Sequence, residues 1–187
     1  MNKKIYYLKS DVTNYCSFIQ DYQVLEEHIM IRSVEDPWKP FDNKYQAITL
    51  ELRSNDFGKK NYQFDFSGAL EPFFVISEFA LTALADILEP RGQVLPVITK
   101  SKRKQFFGYY PTNPLSGCFD KEKSVYQVYS KGFVIDKPVL IAENITDDYL
   151  FSIEEDISRV FVTEKFKQRV EEAGLLAFDF SIEIPTS

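Results

Sequence analysis

The clearest structural signal in the chain is VFVTEKFKQRVEEAGLLAFDF, residues 160–180. An apolar run leads to Thr163, and a threonine hydroxyl can accept a backbone N–H at the start of a helix. Phe166 and Val170 then recur at helical spacing, and Gly174 supplies the left-handed residue at which helices commonly end. The stretch therefore predicts a strand, an amphipathic surface helix and a second strand.

A second stretch, FFVISEFALTALADILEPRGQVLPV, follows the same order over residues 73–97. Ser77 takes the capping position, apolar residues recur nearly all round the helix, and Pro90 and Gly92 end it. We therefore predict two strand–helix–strand units, at about 73–97 and 160–183, with the first helix buried and the second on the surface. The pattern fits a duplication and a convergent solution equally well.

The rest of the chain carries shorter signals of the strand type. YQAITLELRS (residues 45–54) alternates with a period of two, and a strand is also expected at residues 28–32. Many short strands with two helices indicate an α+β fold built on antiparallel or mixed sheets. No Gly/Ser-rich linker divides the chain, so we expect one domain over residues 1–187, with two lobes, 1–72 (β-rich) and 73–187, as the alternative.

The composition favours a folded protein with an aromatic core. The chain of 187 residues contains 17 Phe and 11 Tyr, and a Phe-rich core is a commoner use of them than an aromatic recognition surface. The formal net charge of −6 argues against a general nucleic-acid binder, which needs clustered cations to displace counterions. The same charge is compatible with a basic protein partner.

Sites for catalysis or cofactors find little support in the sequence. His28 is the only histidine, and Cys16 and Cys118 lie far apart, so neither a zinc site nor a nucleophile–histidine pair is indicated. Both cysteines are expected to be free thiols. The seven glycines are spread singly, without a phosphate-binding motif. We expect no metal, no cofactor and no catalytic residues.

Targeting and membrane signals are missing from the sequence as well. The N-terminal residues, MNKKIYYLKSDV, are basic but lack the apolar stretch of a signal peptide. No run approaches the roughly 20 apolar residues of a membrane helix. These features predict a cytoplasmic protein that does not contact a membrane.

Two features are candidates for contact with a partner. The acidic stretch ENITDDYLFSIEEDISR (residues 143–159) lacks the calcium-loop pattern, so a solvated acidic face is favoured over a metal or acid–base site. In EDPWKPFD the only Trp lies between two prolines, either as a buried anchor of its loop or as an exposed contact for a partner. The candidate partner-binding residues are Trp38, Asp147, Asp148, Glu154, Glu155 and Asp156.

A basic segment, KSKRKQFFGYY at residues 100–110, mixes cations with aromatic residues. Single-strand nucleic-acid binders use such mixtures. Because the whole chain is acidic, we favour a basic hairpin turn beside a core strand and expect no nucleic-acid partner.

Three passages together resemble a known family. They are the stretch at 73–97, QFFGYYPTNPLSGCFDKEKSVY at 105–126 and the terminal stretch at 160–180, in that order. They resemble the domain of bacterial immunity proteins of polymorphic toxin systems, a family with a myxobacterial prototype, formerly a domain of unknown function. The positions that match its motifs are Asn113, Asp120, Ser124, Val162, Thr163, Glu164, Phe166, Lys167, Gly174, Leu175, Phe178 and Phe180. The chain departs from the pattern at Ala177, where the family often has Gly.

The resemblance implies an immunity protein that neutralises a cognate toxin by direct binding and is not an enzyme. It brings no catalytic residues with it. Combined with the net charge of −6, it leads us to expect a basic toxin domain, such as a nuclease, as the partner. The residues alone leave two alternatives open, a carboxylate-based hydrolase and a structural or assembly subunit of a secretion or phage-like system. They indicate no oligomeric state.

Overall fold

A computed structural model describes residues 3–23 and 28–187 of the chain. These residues form an α+β fold with antiparallel and mixed sheets, as predicted. The helices are α1 (Ile29–Glu35), α2 (Glu78–Ala83), α3 (Ala85–Leu88) and α4 (Glu164–Glu172), with a short 3-10 helix at Ala142–Asn144.

A mixed five-stranded sheet joins segments that are far apart in the chain. In order across the sheet, its strands are β15 (Glu183–Ile184), β1 (Ile5–Tyr7), β13 (Asp156–Thr163), β12 (Leu150–Ile153) and β9 (Pro114–Leu115). The pair β12–β9 is parallel and the other pairs are antiparallel. Because Ile5 pairs with Thr163, the start of β1 and the end of β13 lie at the same edge of the fold.

A second mixed sheet has six strands. In order they are β3 (Ser17–Gln20), β4 (Ile48–Arg53), β7 (Gly92–Ile98), β8 (Phe106–Pro111), β6 (Phe73–Ser77) and β5 (Phe66–Leu70). Only β4 and β7 pair in parallel among the described strands of this sheet. Leu70 pairs with Phe73, so the lobe boundary considered at residue 72 falls between two paired strands of one sheet.

Two short strand pairs complete the fold. One is the hairpin of β10 (Val125–Tyr129) with β11 (Gly132–Lys137), and the other joins β2 (Lys9–Ser10) to β14 (Phe178–Asp179).

The first strand–helix–strand unit is present at residues 73–97, although its helix is broken. Ser77 caps α2 as predicted, since its Oγ accepts the backbone N–H of Ala80 at 3.1 Å. The backbone leaves helical geometry at Leu84, where φ is −113°, and this separates α2 from α3. Ala80, Leu84, Ile87 and Leu88 are buried, but Phe79 is 59% exposed, so the prediction of a buried helix is wrong there.

The second unit is confirmed as far as its helix. Thr163 Oγ1 accepts the N–H of Phe166, Phe166 and Val170 are buried, and Gly174 has a φ of +64°. The following strand, β14, has two residues and pairs with β2, whereas β6 and β7 of the first unit both pair with β8. Each unit therefore consists of a strand followed by a capped helix, but the second strands of the two units pair with different parts of the fold.

The strand predicted at residues 28–32 is wrong, because this segment forms helix α1. Ile29 and Ser33, four residues apart, are both buried, and the Ser33 hydroxyl donates to the Ile29 carbonyl at 2.8 Å. The apolar residues of this short run fit both the period of a strand and the period of a helix. The helix forms because it buries one of its faces. His28 is exposed and its ring stacks on that of Tyr22 at 5.1 Å.

Phenylalanine fills much of the interior, as the composition predicts. Phe18, Phe64 and Phe106 form a triangle of ring contacts with centroids 5.0–5.2 Å apart. Burying one such side chain contributes roughly 1.5–3 kcal/mol, and the ring contacts add to this. Both cysteines are buried free thiols, which confirms that prediction.

Candidate functional site

A cleft of about 1400 Å³ lies at the edge of the five-stranded sheet where β1 begins and β13 ends. The residues before β1, the turn after Cys118, the 3-10 helix and the first turn of α4 supply its walls. Phe119 and Ile145 are buried and form its apolar floor together with Ile141. The charged residues that line this mixed-charge cleft are Lys3, Lys4, Asp120, Lys121, Glu122, Glu143, Asp148, Glu164 and Lys165.

Thr163 fixes one wall of the cleft. Its hydroxyl accepts the N–H of Phe166 and donates to the backbone carbonyl of Asp148 at 2.5 Å. One hydroxyl thus both begins α4 and holds the backbone of Asp148 beside it. The capping geometry recognised in the sequence therefore also shapes the cleft.

Asp148 is an exposed carboxylate between two lysines. Its Oδ2 accepts a hydrogen bond from Lys165 Nζ at 3.0 Å, and its Oδ1 lies 3.9 Å from Lys3 Nζ. The hydrogen bond from Lys165 holds the pKa of Asp148 below its usual value. Lys3 is fixed in turn because its Nζ donates to the carbonyl of Ile145 at 2.6 Å. This side of the cleft carries an ionised carboxylate whose surroundings are ordered.

Glu164 lies in the first turn of α4, where its negative charge favours the positive end of the helix dipole. Its carboxylate accepts a hydrogen bond from the Tyr6 hydroxyl at 2.5 Å. This hydrogen bond, followed by burial, raises the pKa of Tyr6 to about 12. The phenol therefore stays protonated at neutral pH and acts as a donor.

The turn after Phe119 gives the opposite wall. The Asp120 side chain accepts the backbone N–H groups of Glu122 and Lys123, each at 3.0 Å, while the Ser124 N–H donates to the Asp120 carbonyl. A hydrogen bond with the Ser187 hydroxyl lowers the pKa of Asp120. The Asp-x-x-x-Ser pattern thus has a local folding role, and it presents the neighbouring charged side chains to the cleft.

Two of the five predicted acidic residues hold the fold together. The Nε–H of Arg91 is shared between Oδ2 and Oδ1 of Asp147, at 2.7 and 3.0 Å, and the Asp147 side chain is 13% exposed. Asp156 is 4% exposed; it pairs with Arg159 at 2.6 Å and accepts the N–H of Ser158. Since both carboxylates are already satisfied within the fold, they are poorly placed to meet a partner.

The other two predicted acids outside the cleft lie at the turn between β12 and β13. Glu154 is exposed, whereas Glu155 is half-buried with its Oε2 enclosed and without a hydrogen-bond partner among the described residues. Neither lines the mixed-charge cleft. Of the predicted set, the structure therefore places only Asp148 there.

Trp38 is a loop anchor in this structure. It is 9% exposed and has a positive φ of 62°, and its backbone N–H donates to the Tyr110 hydroxyl at 3.0 Å. Arg32 packs against the same region, with its guanidinium 4.0 Å from the centre of the Phe41 ring. Of its two sequence interpretations, burial favours the anchor over the partner contact.

The cleft residues that sequence reasoning missed are mostly single charges from distant segments. Lys3 and Lys165 carry no motif, and they meet Asp148 only because β1 and β13 pair. Phe119 and Ile145 look like ordinary core residues in the sequence. Asp120 and Glu164 match positions of the family motifs, but neither is among the candidate partner-binding residues.

The described part of the chain has no group of three or more His, Cys, Asp or Glu side chains arranged to hold a metal ion. Burial raises the pKa of the Cys118 thiol, which lowers the fraction of reactive thiolate. Within residues 3–23 and 28–187 no helix is long and apolar enough to cross a membrane. What the cleft offers chemically is an apolar surface surrounded by ordered charges.

No protein-family model and no curated protein matches this chain. The resemblance to immunity proteins therefore stays a prediction, and the geometry of the cleft has to support any function independently.

Proposed function

We propose that this chain is an immunity protein that neutralises a cognate bacterial toxin by direct binding, and that the mixed-charge cleft is its binding surface. The observation that carries the proposal is the cleft itself, in which exposed charges of both signs surround buried Phe119 and Ile145. Stable protein interfaces have this anatomy, with an apolar centre inside a polar rim.

The apolar floor and the charged rim would contribute differently to the complex. A side chain of the toxin that covers the partly exposed Ile141 and Ala142 would supply most of the affinity, because desolvated anchors dominate interface energies. The rim would orient the partner and speed its association. Glu122, Glu143 and Asp148 are exposed rim acids, and with the net charge of −6 they favour a toxin with a basic surface, such as a nuclease.

The proposed inhibitor acts by occupying the toxin and performs no reaction of its own. It needs no cofactor, and its Asp148 is engaged by two lysines in a way that suits recognition better than proton transfer. The expected site of action is the cytoplasm, where such a toxin would reach its target.

The test is rescue of bacterial cells that express the toxin domain encoded by the neighbouring gene. The wild-type chain should restore growth, and the variant Glu143→Lys/Asp148→Lys should lose this protection because two attractive rim contacts become repulsive. The purified variant should bind the toxin at least about tenfold more weakly in calorimetry, since each exposed charge contact contributes up to about 1 kcal/mol.

The matched control is Glu35→Lys/Glu51→Lys, which reverses two exposed acids that do not line the cleft. It changes the net charge equally and should keep full protection. Full protection by the cleft variant would place binding elsewhere. A neighbouring gene without a toxin, or a wild-type chain that hydrolyses a carbohydrate or forms large assemblies, would overturn the proposal.

A further inference from the structure

The loop between β7 and β8, residues 99–105, carries a dense set of cations. It forms the predicted hairpin turn beside the core strand β8. Lys100, Lys102 and Arg103 are exposed, and within the described ranges none of them makes an ion pair. In a chain of net charge −6, three free cations within four residues form a positive patch on an otherwise acidic protein.

The loop is held in shape by its own hydrogen bonds. The Ser101 hydroxyl donates to the Lys104 carbonyl at 2.7 Å and accepts the Lys104 N–H at 3.2 Å. Lys104 Nζ is tied to the buried Asp65 at 2.7 Å, and the Gln105 carbonyl accepts the N–H of Glu78. A ligand would therefore meet cations whose backbone is already ordered, which lowers the entropy cost of binding.

A second segment faces this loop across a cleft of about 570 Å³. Asn61, Tyr62 and Gln63 form its other wall, and the loop side is lined by residues 100–104. Tyr62 is half-buried and its ring packs on Phe18 and Phe106 at 6.1 and 6.3 Å, so it is a fixed apolar wall.

Two further exposed lysines, Lys59 and Lys60, directly precede Asn61 and add positive charge at the same edge. The turn that carries them is also ordered, because Asn55 Oδ1 accepts the N–H groups of Phe57 and Lys59. Lys59 and Lys60 thus add to the positive charge at this edge, and among the described residues no acidic side chain lines the cleft.

We propose that this basic cleft, defined by Lys100, Lys102, Arg103 and Tyr62, binds an acidic extended segment of a protein partner. Two or three carboxylates along the segment pair with the free cations, while its backbone or an apolar residue lies against Tyr62. The site goes beyond the toxin-binding function, because its charged lining residues are all cations and it shares no lining residue with the mixed-charge cleft.

An acidic peptide fits this surface better than a nucleic acid for two reasons. A polynucleotide extends beyond the patch, and its phosphates would then meet the field of an acidic protein. Single-strand binders also stack successive bases on several aromatic side chains, whereas Tyr62 is the one aromatic residue that lines this cleft in the part of the chain that the structure describes.

The proposal is tested with the purified chain and two fluorescent probes, a six-residue peptide that carries three glutamates and a single-stranded oligonucleotide of equal charge. Anisotropy titrations at low salt should show peptide binding that weakens as salt is added. The variant Lys102→Glu/Arg103→Glu should bind the peptide about tenfold more weakly, because two attractive contacts become repulsive.

The control variant is Lys131→Glu/Lys137→Glu on the β10–β11 hairpin, which removes the same charge from exposed positions that make no ion pair among the described residues. It should keep wild-type peptide affinity. An equal loss of peptide affinity in both variants would show that net charge alone causes the effect. Tighter binding of the oligonucleotide would assign the cleft to nucleic acid. Either result, or an absence of peptide binding, would overturn the proposal. Since toxin rescue depends on the other cleft, failure of one proposal leaves the other intact.

Discussion

The acidic stretch at residues 147–156 and the basic loop at residues 99–105 look equivalent in the sequence, since each places like charges close together. In the structure they differ in how far their charged side chains are buried and paired. Asp147 and Asp156 turn inward and pair with arginines, whereas Lys102 and Arg103 remain exposed and make no ion pair within the described residues. A charge cluster can therefore serve as a recognition surface only where the fold leaves its charges exposed to solvent.

Asp156→Ala should have the largest effect on stability, because it removes the most buried acid of the acidic stretch. Arg159 would lose its ion-pair partner, and the N–H groups that Asp156 accepts at the turn would lose their acceptor. We expect a loss of about 3 kcal/mol in the free energy of unfolding, the magnitude typical of breaking a buried pair. Urea denaturation followed by circular dichroism measures it.

Glu154→Ala is the matched control for Asp156→Ala, two residues away on the same turn. Glu154 is exposed, so its loss should change the free energy of unfolding by no more than about 0.5 kcal/mol. Similar losses in the two variants would contradict the distinction between inward and outward acids.

Asp65 links the basic loop to the core, and its replacement should have the next largest effect. Burial alone would raise the pKa of Asp65, but hydrogen bonds from Lys104, Ser77 and the Leu176 N–H outweigh it and lower the pKa below its usual value. Asp65→Asn replaces these charge-assisted contacts and should cost about 2 kcal/mol at pH 7.

The pH dependence of Asp65→Asn has a definite sign. A carboxylate whose pKa is lower in the folded protein stabilises it fully above its unfolded pKa of about 3.9, and this contribution disappears as the pH falls through the folded value. The difference in unfolding free energy between wild type and variant should therefore be constant from pH 5 to 7 and shrink below about pH 4. A difference that does not change with pH would show that Asp65 is not stabilised as an anion.

The sequence was sufficient for features that depend on neighbouring residues. Ser77 and Thr163 cap their helices, Gly174 is left-handed, and the loop at residues 99–105 turns between two strands, because each of these follows from local chemistry. The α+β fold class followed from counting such elements.

Features that depend on distant residues could not be predicted. Nothing local marks Asp147 as the partner of Arg91, because packing between the two sheets brings these residues together. Likewise nothing local marks Asp148 as the neighbour of Lys3, which the pairing of β1 with β13 brings close. The prediction from a short apolar run was also wrong, because burial of Ile29 in the core favours a helix where alternation suggested a strand. Ala177 adopts a φ of 76°, a glycine-like backbone at a position where the family often has glycine.

The smallest effects are expected inside the basic loop, where they test the comparison most sharply. Lys104→Gln leaves the Asp65 carboxylate without its ion-pair partner and should cost about 1 kcal/mol, because the pair is only partly exposed. Lys102→Gln, two residues away, should leave the free energy of unfolding within about 0.5 kcal/mol of wild type, since its side chain is exposed and makes no ion pair among the described residues. Denaturation midpoints of the two variants in parallel measure the difference. If Lys102→Gln were the more destabilising variant, the Lys102 side chain would contribute to the stability of the fold. Its charge would then already be engaged within the protein and would bind an acidic partner less strongly.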